Sequence, residues 1–530
     1  MTDKKTSPTQ EEIDFQAKHK AAWEKTRRFL EAAKDIEEHY GKSNPQHQFA
    51  DEFFQIYLEK KPSQIATKAL ETAFAMWGNL KGVSNRVQDA LQHIGYEAIL
   101  WTFFDKKVPF AQVGIFNRQI KSTNARDKRH MDLADKILNG WSITKPQRNF
   151  LLRLFTTILS LRGKVNFRNL SRYSGVSVRT FARQFDQSFD FIRLNRALID
   201  QVVVADRPRL IAFDPCFIPK AGKHTPELAY FWNGSHGRAE KGLEVSCFSL
   251  IDLEHNTGYA LSVQQTPAPV EGRGDDETLI DAYLDHLHTL VPHLHPEETH
   301  LAVDGQFAKK KWLDGVEAVG LHTIGKLRCD ANMRFFYTGP LRAHGSGKQK
   351  TYDGKVDWQD LSRFDYITEQ DGLELYTQVL NHVSLKRTLR VVVVLDRRDP
   401  KKPRYALLFS TDLELDAVTL FYRYKARFQI EFIFRDAKQF TGLADAQTRN
   451  AKRLHFHFNA SLTTLNIAKI EQRQAQPDDQ PMVYSIASVK AGYFNELFLQ
   501  RFFSTFGWEL SWIKNSPLYR QLREFGRRAA

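Results

Sequence analysis

Residues 207–214 read RPRLIAFD and residues 299–304 read THLAVD, two short apolar runs that each close on an aspartate. GLEVSCFSLID (242–252) and TGYALSVQQT (257–266) follow the first run and read as paired strands with an EHN turn between them. DDETLIDAYLDHLHTLV (275–291) and FAKKKWLDGVEAVG (307–320) space apolar residues at helical intervals, and LHTIGKLR (321–328) returns to strand texture. The resulting order is β-β-β-α-β-α-β, with some two dozen loop residues expected after Asp214.

That order predicts a ribonuclease H-like core, short only of its last helix. In this topology the strands ending at Asp214 and Asp304 are neighbours, so the two carboxylates are expected side by side. Aspartate also stops strands without any chemistry: Asp252, Asp396 and Asp412 close apolar runs too, and Asp304-Gly305 is a turn dipeptide. Adjacency of the two strands sets Asp214 and Asp304 apart, because Asp252 ends a strand running the other way. Residues 330–404 then break the pattern with polar, Gly-rich loops and the strand-like runs ELYTQVLNHVSL, LRVVVVLD and RYALLFS. They read as a β-rich insertion.

After the insertion, residues 422–440 read YRYKARFQIEFIFRDAKQF. On one continuous helix Tyr424, Arg427, Glu431 and Lys438 fall within roughly 60° of a single face. Ala426, Ile430, Ile433, Phe434, Ala437 and Phe440 occupy much of the opposite side and imply burial. A solvated face with Arg427 and Glu431 as an i, i+4 pair is the plain alternative. With apolar bulk flanking it, the polar seam is expected to face a cleft or ligand. Asp214, Asp304 and Glu431 then form an oxygen-only ligand set suited to two Mg²⁺ or Mn²⁺ ions. Such a pair supports in-line displacement at a phosphodiester with no nucleophilic side chain.

Composition narrows the setting. With 530 residues, 42% of them hydrophobic, the chain can bury two to four cores. Lys and Arg number 76 against 62 Asp and Glu, a formal charge of +14, so a polyanion is the natural partner. Cys216, Cys247 and Cys329 lie far apart with no CxxC pair, which argues against a cysteine zinc site and a disulfide framework. The first ten residues lack an apolar leader, and the greasiest runs are too short for a membrane span. A soluble, cytoplasmic protein is expected, associated with the nucleoid when bound to DNA.

Residues 1–140 carry charged, helix-prone patterns to which no chemistry attaches; they read as a helical accessory region or a purely structural extension. Within 141–204, FRNLSRYSGVSVRTFARQF (167–185) has the layout of a helix-turn-helix. Gly175 makes the turn, Val176, Val178 and Phe181 fix the second helix, and Arg179, Thr180, Arg183 and Gln184 point toward a DNA groove. Residues 205–329 form the first part of the core, 330–404 the insertion, 405–470 the last part with the signature helix, and 471–530 a helical C-terminal region. His455 and His457 sit two apart on a helix, too divergent to share an ion, and read as core residues. The fold class is thus multidomain α/β, a ribonuclease H-like mixed sheet with flanking helices, the β-rich insertion, and helical N- and C-terminal regions.

The spacing Tyr-x2-Arg-x3-Glu-x6-Lys at 424, 427, 431 and 438 resembles the signature of DDE transposases of the insertion-sequence-four-like group. The resemblance covers about residues 165–465, including IAFDP, AVDGQF and the β insertion. It implies Asp214, Asp304 and Glu431 as the catalytic, metal-binding triad. It also implies water attack at transposon ends, a hairpin intermediate, strand transfer into target DNA, and a homodimer on paired double-stranded ends. Tyr424, Arg427 and Lys438 would grip phosphates and hold a displaced base. An aromatic of the insertion stacks on that base in the family; Trp358 is the only tryptophan there, and a core role suits it better. Lys220, Lys223, His224 and Arg238 after the first aspartate, and Lys326 and Arg328 before the insertion, are candidate phosphate contacts, or simply solvated charges. Two other readings stay open: an inactive DNA-binding regulator, and a structure-selective nuclease without strand transfer.

Overall fold

The computed structural model describes residues 131–269, 278–340, 348–370, 372–399, 404–477, 483–505, 514 and 516–527. The helical patterns read within 1–130 lie outside them. The described chain opens with five helices: α1 (Asp132–Asn139), α2 (Lys145–Ser160), α3 (Phe167–Ser174), α4 (Val178–Phe185) and α5 (Phe191–Ile199). Local sequence starts each of the last four, because Thr144, Asn166, Ser177 and Asp190 accept the orphan amide three residues on. Gly175 ends α3 in the left-handed region at φ 72, the turn expected of a helix-turn-helix. Phe181 and Phe185 turn inward against Phe150 and Phe167. Val178 does not join them; it is 42% exposed, because the inward stripe of so short a helix is filled by the two phenylalanines.

Among the described residues twelve strands form one sheet. They are β1 (Arg209–Pro219), β2 (Ala229–Asn233), β3 (Arg238–Asp252), β4 (Thr257–Gln265), β5 (His300–Ala302), β6 (His322–Leu327), β7 (Met333–Phe336), β8 (Tyr352–Lys355), β9 (Asp365–Gln370), β10 (Leu373–His382), β11 (Arg387–Asp396) and β12 (Arg404–Ser410). Their order is β2-β3-β1-β5-β6-β12-β11-β10-β7-β8, with β4 also on β3 and β9 on β10. Within it, β4-β3-β1 are antiparallel and β1-β5-β6 parallel, the latter linked through α6 (Leu279–Leu290) and α7 (Lys310–Ala318). This is the expected ribonuclease H-like core. The insertion is β-rich as read, and β12 pairs with β6 so that its strands prolong the core sheet.

Two local expectations are corrected. The first strand does not stop at Asp214: β1 runs on to Pro219, because β3 continues beside it and supplies the antiparallel ladder. The stretch read as loop after it also contains β2, which pairs with the start of β3.

Behind the sheet, α8 (Ala417–Ala426) and α9 (Gln429–Asp436) precede a π-helical turn (Ala437–Thr441), α10 (Ala451–Gln474), α11 (Ile486–Thr505) and α12 (Pro517–Glu524). Helix α10 is buried along nearly its whole length. Its Asn466 clamps the edge of β4, donating to the Ala260 carbonyl at 2.7 Å and accepting from the Ala260 amide at 2.9 Å, which satisfies a backbone that would otherwise be buried unpaired. His457 donates to the Gly442 carbonyl at 2.7 Å, a core role as expected. Among the described residues no helix is long and apolar enough to cross a membrane.

Candidate active site

Parallel register builds the first half of the site. Ala212 of β1 pairs with Ala302 of β5, and Ala302 with Ile324 of β6. Two residues further along each strand, on the same face, stand Asp214, Asp304 and Lys326. The row emerges where the apolar layer ends: Ala212, Ala302 and Ile324 pack beneath Leu420 and Phe421 of α8, with Tyr424 against their cluster. Gly305 permits the close approach of β5 and β6 here, since a Cβ on it would lie 3.2 Å from the Lys326 carbonyl oxygen.

The signature segment supplies the second half, and it is not one continuous helix. Helix α8 ends at Ala426, and the Ile430 and Glu431 amides bond back three residues, to Arg427 and Phe428, at 3.0 and 3.1 Å. This tightened turn is followed after α9 by a widened π turn. Tyr424 therefore lies on α8, Arg427 at the junction, Glu431 in the first turn of α9, and Lys438 in the π turn. Packing against β4 aligns α9: a Cβ on Gly258 would come within 3.1 Å of Gln429 and Ile433. Despite the break, Tyr424, Arg427 and Glu431 reach the aspartate row, with Lys438 beyond it. Tyr424 feels the charges of Arg427, Asp304 and Glu431, and the charge of Lys438 acts on the Cys216 thiol, two residues beyond Asp214 on the same face of β1, opposing the rise that burial causes.

Arg427 is the electrostatic centre. Its Nη2 donates to Glu431 Oε1 at 3.2 Å, and its Nη1 lies 3.9 Å from Asp214 Oδ2. The guanidinium is buried, yet among the described residues its Nε and Nη1 have no hydrogen-bond partner. Burial pushes the Asp214 carboxyl up to about 7, with the charges of Asp304, Glu431 and Glu244 adding to the rise and Arg427 opposing it. Among the described residues no three His, Cys, Asp or Glu side chains converge as a metal cage. The donor chemistry nonetheless fits a hard divalent cation: three mutually repelling carboxylates, one of them half-neutralised near pH 7, share a single imperfectly bonded guanidinium.

The other candidate contacts divide. Lys326 belongs to the row. Lys220 turns away and donates to the Ala446 carbonyl. Lys223 and His224 are exposed on the loop after β1. Arg238 pairs with Glu240 at 2.7 Å on the β2–β3 hairpin, and Arg328 with Asp330 at 2.8 Å. Arg179 and Arg183 are exposed on α4, the second helix of the expected helix-turn-helix. Trp358 is half-buried and donates to the Ala331 carbonyl at 3.0 Å, a structural role. Sequence reading missed Glu244, a buried carboxylate on β3 that accepts from Tyr283 Oη at 2.6 Å and whose burial raises its pKa. Nothing in its local sequence separates it from a solvent-facing strand residue.

Residues 142–363 match a family model described as DDE superfamily endonuclease, a stretch that holds Asp214 and Asp304 but stops short of Glu431. The match supports a DDE-type nuclease or transposase. It fits a metal-dependent enzyme acting on DNA, the chemistry that the carboxylates and the guanidinium between them suit. A comparison with curated proteins finds no match. Among solved structures, an endonuclease V from Bacillus subtilis aligns at 14% identity over 46% of this chain and 84% of that one, with a TM-score of 0.21. At that level of superposition the likeness says nothing of function.

Proposed function

We propose that this chain is a DNA transposase that cleaves transposon ends and joins them to target DNA, with Asp214, Asp304 and Glu431 as its metal-binding catalytic triad. The observation that carries the reading is the register of Asp214 and Asp304 on neighbouring parallel strands, with Glu431 tied to Asp214 through Arg427. Two Mg²⁺ or Mn²⁺ ions held there would activate the attacking oxygen and stabilise the leaving one.

The protein's own groups bind, orient and balance charge. Asp214, whose pKa burial raises to about 7, would give up its proton in holding a divalent cation. Arg427, freed from Glu431, turns its fork to a phosphate oxygen, where two N–H groups bind in parallel. Tyr424 and Lys438 grip phosphates near the cleavage site and, with Arg427, help hold a displaced base, while Lys326 is a further phosphate contact. Arg179 and Arg183 approach a DNA groove from the helix-turn-helix, and residues 1–140 act as an accessory region. A homodimer pairs two ends, and the liberated 3′-hydroxyl attacks target DNA after a hairpin intermediate. The reaction runs on DNA in the bacterial cytoplasm.

The test is Mg²⁺-dependent nicking and joining of a labelled duplex carrying the terminal repeat that flanks the gene. Joined products in wild type, absent in Glu431→Ala with duplex binding retained, are expected. Duplex binding without any nicking would favour a regulator, and nicking without joined product a structure-selective nuclease.

A further inference from the structure

The turn after Lys438 is locked to the loop before α3. Gly442 sits at φ +81, and a Cβ on it would lie 2.4 Å from the Val165 Cβ, so only glycine allows this approach. The Val165 amide donates to Asp445 Oδ2 at 2.7 Å. Between these segments and α11 lies a cavity of about 370 Å³, walled by Arg162, Lys164, Lys438 and Lys490 with Asp445 as its carboxylate. Four cations thus face one acid whose Oδ2 already accepts the Val165 amide.

Two of these charges are held in place. Arg162 rests over the Phe494 ring at 3.8 Å, which fixes the guanidinium plane. Lys490 is largely buried and donates to the Ile158 carbonyl at 2.5 Å. Burial lowers its pKa to about 8 against the pull of Asp445, so an added anion would be welcome beside it. Lys438 joins the cavity to the active site, because it lines the cavity while its charge acts on Cys216, about 7 Å along β1 from Asp214 at the usual strand rise.

We infer that this cavity is a second phosphodiester-binding site, in which Arg162, Lys164 and Lys490 join Lys438 in gripping the DNA strand away from the scissile phosphate. The inference rests on the nuclease reading of the triad and deepens it. It gives the loop before the helix-turn-helix and the C-terminal helix α11 a shared role, holding the strand whose other end enters the carboxylates.

The experiment compares full-length wild type with Arg162→Ala/Lys164→Ala, two exposed positions, with melting curves to check that the variant is folded. Duplex affinity is measured across salt, and single phosphates near the cut site are replaced by uncharged methylphosphonates. The double variant is expected to bind about 10-fold more weakly, with its salt slope reduced by about 1–2. One methylphosphonate position should weaken wild type while leaving the double variant unaffected.

Wild type that cleaves DNA while the double variant keeps full affinity and slope overturns the second site and leaves the triad reading standing. Wild type that shows the position-specific effect without cleavage keeps the site and removes the triad reading. Inorganic phosphate bound as tightly as the duplex, with no methylphosphonate effect, marks a small-anion pocket and overturns the inference.

Discussion

Arg427 donates to Glu431 Oε1 at 3.2 Å from a guanidinium whose other arm lies 3.9 Å from Asp214 Oδ2, so a single cation sits between two carboxylates on separate elements. One comes from the sheet and one from the helix behind it. The arginine thereby does in the protein alone what a divalent ion would do more strongly.

Removing that cation should expose the repulsion. Arg427→Ala is expected to lower stability by about 1–3 kcal/mol at pH 8 without divalent ions, the scale for an uncompensated, partly buried charge. Millimolar Mn²⁺ should recover much of the loss, and Arg427→Lys should lose less stability than alanine while still lacking the fork. Thermal denaturation with and without Mn²⁺ checks this; unchanged melting of the alanine variant would contradict it.

Asp214 makes stability depend on pH in a defined direction. Its pKa is raised from 3.8 to about 7 on folding, chiefly by burial. Below about pH 4 it is protonated folded or unfolded. As pH rises toward 7 only the unfolded chain gives up the proton, so stability is lost over that window. The side chain is 19% exposed, and solvent screening reduces the effect to about 1–2 kcal/mol. Asp214→Asn should therefore stabilise the metal-free protein by that amount at pH 8 and leave it unchanged near pH 4, as melting curves at the two pH values would reveal. The same proton competes with cations, so the Mg²⁺ concentration needed for cleavage should climb as pH drops below 7.

Glu431→Gln keeps size and hydrogen bonding but removes a charge. Cleavage is expected to fall by about 10³-fold or more, while duplex affinity changes less than about 3-fold, because the carboxylate serves the chemical step. Parallel cleavage and binding assays test the split; equal losses in both would make Glu431 a binding residue.

Arg179 and Arg183 stand exposed on α4 while Phe181 and Phe185 anchor it inward. Replacing both arginines with alanine should weaken binding to the terminal repeat by about 1–3 kcal/mol and leave binding to random duplex less affected, if they reach base edges. Competition binding resolves the two. A uniform loss across sequences would reduce them to phosphate contacts.

Much of this is legible in the sequence. The aspartates could be paired because right-handed parallel crossovers leave few topologies for β-β-β-α-β-α-β, and Lys326 follows from the same register. The break at Arg427 was not legible: no glycine or proline marks it, and it arises as α9 packs onto Gly258 of β4, a contact made by distant sequence. The continuation of β1 past Asp214 depends in the same way on the length of β3. Surface charges were least legible. Lys326 and Arg328 differ by two residues, yet one flanks the aspartates and the other closes on Asp330. The basic cavity draws Arg162, Lys438 and Lys490 from three separate stretches, and no local motif links them.

The most direct measurement is anomalous diffraction from crystals of the protein bound to an element-end duplex and soaked in Mn²⁺. The account predicts manganese peaks bonded to oxygens of Asp214, Asp304 and Glu431, with Arg427 displaced onto a phosphate. Manganese bound elsewhere, with Arg427 still bridging Asp214 and Glu431 beside the DNA, would contradict it.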